Sequence, residues 1–258
     1  YIEGVVSGPT TDEDTTKNLT NSPRAIYLGP TVGYSFVNNT YIRNSSVGLL
    51  TNAYNSLFKD ITPYNNAQQG LYTYNSNYNK YYSINTFNNG LGIYVENSHG
   101  NVFSNIKANN NLGVGVTLTA SNNNYLNQIN SSNNTSSNIR IHYSTNNALT
   151  FINSASSGST GIQLEGWSHH NKIIAVNSNN NASSGIFMTA SSYNVLMNGQ
   201  LLNNGVDGLA VASYTTQNLL GQMSIFRNLV PGGNDSGLWT DGSASNYNKF
   251  TGNMWVQD

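Results

Sequence analysis

The sequence contains no cysteine, so it has neither a disulfide framework nor a thiol that could bind a metal or act as a nucleophile. Charged side chains are scarce: 10 Lys and Arg stand against 11 Asp and Glu, and the formal net charge is −1. Such a chain lacks the basic surface that nucleic acid or an anionic membrane requires. Its apolar runs are only a few residues long, which predicts no transmembrane helix. We therefore expect no nucleic-acid partner, no membrane insertion, no metal and no cofactor.

A short phrase returns about every 23 residues: an aliphatic residue, any residue, and a second small apolar residue. Gly stands immediately before it in eight of ten copies, the exceptions being Ala25 and Asn138. A fixed period of roughly 20 to 50 residues is typical of solenoid proteins. The first apolar positions of the copies are Ile26, Leu49, Leu71, Ile93, Val116, Ile139, Ile162, Ile186, Leu209 and Leu238.

A second marker keeps the same register: an Asn with a large apolar residue two positions later, followed by a third apolar column. Alternation with period two predicts short strands that each bury one face. The repeat is too short for a strand and a crossover helix in every copy. We therefore predict an all-β solenoid of about ten coils with three short strands per coil. The marker residues are Asn55, Asn79, Asn101, Asn124, Asn147, Asn171, Asn194, Asn218 and Asn248.

Asparagine pairs such as Asn88–Asn89 and Asn110–Asn111 recur between the strands. Asn tolerates left-handed backbone conformations and bonds its own main chain, so it suits tight corners. Identical amides on coils stacked about 4.8 Å apart can also bond to one another as a ladder. We expect most of the asparagines to serve these two structural purposes.

The segment GIYVENSHGNVFSNI, residues 92–106, carries the whole repeat. It resembles the right-handed parallel β-helix repeat of pectate-lyase-like enzymes, NosD-like periplasmic proteins and Asn-rich surface proteins of archaea and bacteria. The resemblance covers about residues 25 to 255 and implies the fold, but one solenoid scaffold hosts many activities. We assign residues 25–258 to the β-helix domain and residues 1–24 to an N-terminal cap or linker.

Tyrosine is concentrated in the first part of the chain, and several tyrosines occupy outward-facing positions of the predicted strands. Of the 17 tyrosines, 12 lie within the first 94 residues. Tyrosine presents an apolar body with a polar tip, which suits a sugar ring or a partner surface, although strand propensity alone also favours tyrosine there. The candidate glycan or partner contacts are Tyr27, Tyr72, Tyr74, Tyr94, Trp167 and Trp239.

Three polar residues form a second candidate site. Arg140 and His142 share one predicted strand, and Glu165 stacks on His142 from the next coil, about 4.8 Å along the axis. A general base with a cation that neutralises a carboxylate is what elimination or epimerisation of a uronide needs. The alternative is an ordinary solvated His–Glu pair, which contributes little to stability.

The chain departs from the enzymes that it resembles. Calcium-dependent lyases and polygalacturonase-like hydrolases need clustered aspartates, but the aspartates here are scattered: Asp60, Asp207, Asp235 and Asp241. The Asp-Pro-His motif of mannuronan epimerases is absent. We therefore predict a non-catalytic structural or adhesive module that binds glycans or copies of itself, as a homo-oligomer or filament. The alternative is a lyase or epimerase of a uronic-acid polymer. We expect a secreted protein, extracellular or at the cell surface, whose targeting signal is not part of this sequence.

Overall fold

The computed structural model of the chain describes residues 2–3, 6–7, 24–228, 237–241, 247–252 and 255–257. These residues form 23 β-strands in two parallel sheets, with no helix among them. This part of the chain therefore holds no helix of the length and hydropathy that crossing a membrane requires. The predicted right-handed parallel β-helix is confirmed.

The shorter strands form a ten-stranded sheet, here called sheet B, in which every strand pairs in parallel with the equivalent strand of the next coil. Its strands carry the recurring aliphatic phrase. They are β3 (Arg24–Leu28), β5 (Val47–Thr51), β7 (Gln69–Tyr74), β9 (Leu91–Glu96), β11 (Val116–Thr119), β13 (Ile139–His142), β15 (Ile162–Glu165), β17 (Ile186–Met188), β19 (Leu209–Val211) and β21 (Leu238–Thr240).

The longer strands form sheet A on the opposite side of the core. They are β1 (Ile2–Glu3), β2 (Val6–Ser7), β4 (Phe36–Arg43), β6 (Leu57–Tyr64), β8 (Lys80–Phe87), β10 (Val102–Asn109), β12 (Tyr125–Ser132), β14 (Ala148–Ala155), β16 (Lys172–Asn179), β18 (Val195–Leu202), β20 (Leu219–Phe226), β22 (Lys249–Thr251) and β23 (Trp255–Gln257). Nine of them are eight residues long, which gives about nine full coils where ten copies of the phrase were counted.

The second and third predicted strands of each coil are continuous in sheet A. Each eight-residue strand bends at a residue with positive φ, such as Asn105 (φ 55°) or Gln128 (φ 55°). The ladder pairing skips this residue, so that Ser104 pairs with Asn127 and Ile106 with Ile129. Each coil therefore has one short strand and one long, bent strand.

Two short strands precede the first repeat: β1 and β2 pair in parallel with β4. Residues 8–23 lie outside the described residues, and the assignment of residues 1–24 to a cap or linker stays a prediction.

The inward positions of both sheets form one continuous core. The three predicted apolar columns are buried through the middle of the solenoid, for example Ile93, Phe103 and Ile106 in one coil. At the two ends Ile26 and Leu238 are only partly buried, and Phe250 is exposed. Where the third column has Gly199, the side chain of Met223 from the next coil takes the space, since a Cβ at Gly199 would lie 2.7 Å from its Cε. Close packing of this kind is why the column tolerates a missing side chain at that level.

Buried asparagines stack as two ladders along the axis. In one, the side-chain nitrogens of Asn101 and Asn124 donate to the amide oxygens of Asn124 and Asn147, each at 3.1 Å. In the other, Asn89 donates to Asn111 at 3.2 Å and Asn111 to Asn134 at 3.0 Å. Each amide oxygen also accepts a backbone N–H of the preceding coil, so polar groups at the buried corners are satisfied.

The predicted Asn pairs divide the two tasks between them. The first member adopts the left-handed conformation, as Asn88 (φ 53°) and Asn110 (φ 55°) do, while the second, Asn89 or Asn111, joins the ladder. In the second coil the marker was assigned one residue early. Ser56, not Asn55, takes the ladder position by accepting from the backbone N–H of Ser35 at 3.0 Å.

The second ladder explains the glycine before each phrase. A Cβ at Gly92 would lie 2.8 Å from the side-chain nitrogen of Asn111, and one at Gly185 would lie 2.7 Å from that of Asn204. Only a residue without a side chain leaves room for the amide.

One coil reverses this arrangement. Its ladder position holds the smaller Ser157, and its glycine position holds Asn138. The Asn138 amide fills the gap: its oxygen accepts from Asn134 at 2.8 Å, and its nitrogen donates to the Ala155 carbonyl at 2.9 Å and to Asn181 at 3.4 Å. The ladder therefore continues through a side chain that enters from sheet B.

We expect Asn138→Gly and Ser157→Asn each to lower the thermal midpoint, since the first leaves a polar gap and the second crowds an occupied site. Each should cost about 1–3 kcal/mol. The double variant recreates the arrangement of the other coils and should recover most of the loss. Thermal and urea unfolding of the four proteins measures this coupling. A double variant no more stable than the weaker single variant would contradict it.

Candidate functional site

The outward positions of sheet B form two continuous columns along the axis. The strand pairing aligns Tyr72 with Tyr94, Tyr94 with Thr117, Thr117 with Arg140 and Arg140 with Gln163. The second column aligns Tyr74, Glu96, Thr119, His142 and Glu165 in the same strands. All the candidate residues on these strands therefore lie on one face of the solenoid.

Three tyrosines cluster on this face. The rings of Tyr72 and Tyr94 stack with their centroids 5.2 Å apart and their planes 13° from parallel. Tyr74 lies 5.9 Å from Tyr72 in a tilted arrangement and remains 37% exposed. The Tyr72 hydroxyl donates a hydrogen bond to the Glu96 carboxylate. Burial and this hydrogen bond hold the pKa of Tyr72 above its ordinary value, so the phenol stays protonated.

Leu50 joins Tyr27 to this cluster, since it pairs with Tyr27 on one side and Tyr72 on the other. Leu50 is buried although its position is outward, while Tyr27 remains 48% exposed. The Arg24 guanidinium lies 4.9 Å from the centre of the Tyr27 ring, a cation–π contact. We call Tyr27, Leu50, Tyr72, Tyr74 and Tyr94 the aromatic strip.

The two candidate tryptophans lie apart from the aromatic strip. Trp167 is on the corner after β15, is 58% exposed, and makes an edge contact with His169 at 6.0 Å. Trp239 is near the C-terminal end of sheet B, where it and Phe187 both align with Ala210.

Phe187 and Trp239 line an open groove of about 340 Å³ together with Ala210 and Asp207. Phe187 and Asp207 were not predicted as site residues. The available signal was the outward column itself, in which a small residue, Ala210, separates two large aromatic ones. The groove is a second apolar surface on the same face as the aromatic strip.

Arg140, His142 and Glu165 are brought together, but their pairing differs from the stacked His–Glu pair that the sequence suggested. Glu165 forms an ion pair with Arg140, whose Nε donates to it at 2.6 Å, and its other oxygen accepts from Gln163 at 2.6 Å. His142 lies against Tyr143, with ring centroids 4.1 Å apart. Burial, with a smaller contribution from the Arg140 charge, lowers the pKa of His142. Both carboxylate oxygens of Glu165 therefore accept hydrogen bonds, one from Arg140 and one from Gln163.

Two other histidines accept backbone hydrogen bonds at the corners between strands. His99 accepts a hydrogen bond at Nδ1 from the backbone N–H of Asn122 at 3.1 Å, and His169 accepts one from Ser192 at 2.9 Å. Asn122 fills the equivalent position between them and accepts from the backbone N–H of Thr145 at 2.7 Å. Burial lowers the pKa of His169, as does the charge of the adjacent His170.

Residues 9–175 match the family described as "Periplasmic copper-binding protein (NosD)". The chain belongs to the NosD family. Compared directly with curated protein sequences, it has no match.

Solved structures share the fold at low sequence identity. A single-site mutant of the periplasmic alginate epimerase AlgG superposes with a TM-score of 0.66 at 12% identity, over 85% of this chain and 73% of that one. The A-module of the Azotobacter vinelandii mannuronan C-5 epimerase AlgE6 gives 0.64 at 12%, over 91% and 73%. The Dettilon tailspike protein gives 0.56 at 12%, over 91% and 55%. Identities this low establish the shared solenoid and nothing beyond it.

The family description raises the question of copper, whose usual protein ligands are imidazole, thiolate and thioether groups. The chain has no cysteine, and Met188 and Met223 are buried in the core. Met197 is partly exposed on sheet A, where its neighbours on the adjacent strands are Ile174 and Gly221. Among the described residues, no three His, Asp or Glu side chains come together as a set of metal ligands. His99 and His169 already use Nδ1 for corner hydrogen bonds. These residues do not fit a copper centre.

We expect the purified protein to retain only substoichiometric copper after dialysis against Cu(II), or against Cu(I) under reducing conditions. Metal analysis of the dialysed protein measures the bound copper, and a NosD-family protein with clustered histidines and methionines serves as the control. One tightly held copper per chain would contradict this reading of the ligands.

The burial of His169 predicts a pH-dependent stability. The folded-state pKa lies below the ordinary value of 6.5, so as the pH falls the unfolded chain takes up the proton first. The contribution is therefore complete above about pH 6.5 and is lost as the pH falls through that value towards the folded-state pKa.

His169→Asn should keep the corner hydrogen bond, as Asn122 does two coils away in the same column, and should reduce the fall in thermal midpoint between about pH 7 and pH 5. His170→Asn is the comparison variant, because it keeps the His169 bond and removes only the smaller effect of the His170 charge, and it should change the pH profile less than His169→Asn does. Asn123 and Asn146 already occupy the position equivalent to His170 with positive φ. Equal pH profiles for His169→Asn and the parent protein would contradict the assignment.

Proposed function

We propose that this protein is a non-catalytic carbohydrate-binding module of the bacterial or archaeal envelope, acting outside the cytoplasm. The observation that carries the proposal is the aromatic strip on the outer face of sheet B. Its rings are held by stacking and by the Tyr72–Glu96 hydrogen bond, so they lose little freedom on binding. Rigid tyrosines offer both apolar area and a hydroxyl to a sugar ring.

The comparisons support the same class of ligand. The similar solved structures include two enzymes named as epimerases of alginate and mannuronan, both polysaccharides, and the family description places its members in the periplasm. A face of stacked strands suits a long polymer, because successive coils present their outward side chains in register about every 4.8 Å. Self-assembly of copies of this chain stays a separate prediction, tested by light scattering over a range of concentrations.

The competing proposal is a lyase or epimerase in which Arg140, His142 and Glu165 act on a uronic-acid polymer. The lowered pKa of His142 favours a neutral imidazole that could act as a base. The ion pair argues against this proposal, since Arg140 would have to leave Glu165 before it could neutralise a substrate carboxylate. If the protein turns over a uronide polymer, and if His142→Ala abolishes the turnover while the fold is intact, catalysis replaces our proposal.

Binding to a panel of soluble polysaccharides tests the proposed module. The parent protein should bind at least one of them, and Tyr72→Ala/Tyr94→Ala should lower that affinity at least about tenfold, or about 1.4 kcal/mol. Tyr125→Ala is the matched control, because Tyr125 is an exposed tyrosine on sheet A, away from the strip. Unfolding curves of both variants establish that the fold is retained. An equal loss of polysaccharide affinity in the double variant and in the control would contradict the proposal.

A further inference from the structure

The charges of the chain are divided unequally between its two faces. On sheet B the described strands carry two cations, Arg24 and Arg140. Arg24 lies over the Tyr27 ring at the first coil, and Arg140 is paired with Glu165. Four carboxylates lie on or beside the same sheet: Glu96, Glu165, Asp207 in the groove, and Asp241 directly after β21. Its field therefore disfavours an anionic ligand.

All five lysines of the described residues are exposed on strands of sheet A. Lys59 is 3.5 Å from the neighbouring Asp60, the one acidic residue on the eight-residue strands of that sheet. The chain therefore has cations to offer a polyanion, but they face away from the aromatic strip. The lysines are Lys59, Lys80, Lys107, Lys172 and Lys249.

Beside the tyrosine rings, the sheet B face presents strong hydrogen-bond acceptors at Glu96 and Tyr72, while the hydroxyls of Tyr74 and Tyr94 can donate or accept. Glu96 is an acceptor-only side chain, and the Tyr72 hydroxyl has directed its proton to it, which leaves the phenol oxygen as an acceptor. Further along, Gln163 donates to Glu165 and accepts from Ser137 at 3.2 Å. A ligand rich in hydroxyl donors matches this face, whereas a ligand with a carboxylate on each unit meets like charge and like acceptors.

From this arrangement we propose that the aromatic strip selects a neutral polysaccharide over a polyuronate. The proposal rests on the proposed function, since it names the class of glycan taken by the same face. Sugar rings contact Tyr72, Tyr74 and Tyr94, while hydroxyl groups of the polymer donate to the Glu96 carboxylate and the Tyr72 oxygen. A uronate unit at the same place would desolvate its carboxylate without a partner cation.

The test compares two classes of oligosaccharide of equal length at one low ionic strength. Neutral gluco- and manno-oligosaccharides form the first class, and oligomannuronate and oligogalacturonate form the second. Affinities are measured by calorimetry for the parent protein and for Tyr72→Ala/Tyr94→Ala. Only binding that the double variant removes is assigned to the strip, so that attraction of uronates to the lysines of sheet A is kept apart.

We expect the neutral oligosaccharides to bind through the aromatic strip. The affinity of the oligouronates for the strip should be at least about tenfold lower. Glu165→Gln removes a negative charge from the face and releases Arg140 from its ion pair, so it should reduce the ratio of neutral to uronate affinity. Lys107→Gln, a charge change on sheet A, is the control and should leave the ratio unchanged.

The outcomes separate the two proposals. Oligouronate binding as tight as or tighter than neutral binding, and lost with the tyrosines, would overturn the selection for neutral glycans and leave the glycan-binding module intact. Absence of any strip-dependent binding in both classes would overturn the module itself.

Discussion

The repeated hydrogen bond between a buried asparagine and the backbone of the adjacent coil is the constraint on which the rest of the structure depends. A solenoid of roughly 23 residues per coil must turn at buried corners, where backbone N–H groups would otherwise lose water without gaining a partner. The Asn oxygen accepts such an N–H and the Asn nitrogen donates onward, as in the run from Asn89 through Asn111 to Asn134. This network fixes the corner, the glycine that faces it and the stacking of the coils.

Because the interior is fixed in this way, the outward positions are free to carry different chemistry at each level. The same column holds Tyr72 and Tyr94, then Thr117, then Arg140 and Gln163, with no change in the strands that present them. The aromatic strip, the Arg140–Glu165 pair and the groove beside Trp239 are thus three surfaces on one scaffold. Function in such a fold depends on these side chains and not on the coil itself.

Prediction from the sequence succeeded wherever a residue does the same task in many coils. The apolar columns, the two roles of the Asn pairs and the alignment of Tyr72 with Tyr94 all follow from the period. It failed where one coil departs from the others. The marker in the second coil is Ser56 and not the adjacent Asn55, because a serine there accepts the corner hydrogen bond in place of an asparagine. The compensation between Asn138 and Ser157 could not be recognised, because it joins two different positions of a single coil.

The parallel β-helix, the register of its coils and the outward positions follow from the repeat in the sequence, since they depend on local periodicity and on the uniform stacking of coils. The pairing of the outward side chains is visible only in the folded protein. The register aligns Glu165 with His142, but the longer side chains of Arg140 on the preceding strand and Gln163 on its own strand reach its carboxylate. Tyr72 likewise turned its hydroxyl to Glu96. These pairings depend on the distances between the ends of the side chains, and a sequence repeat gives no information about those distances.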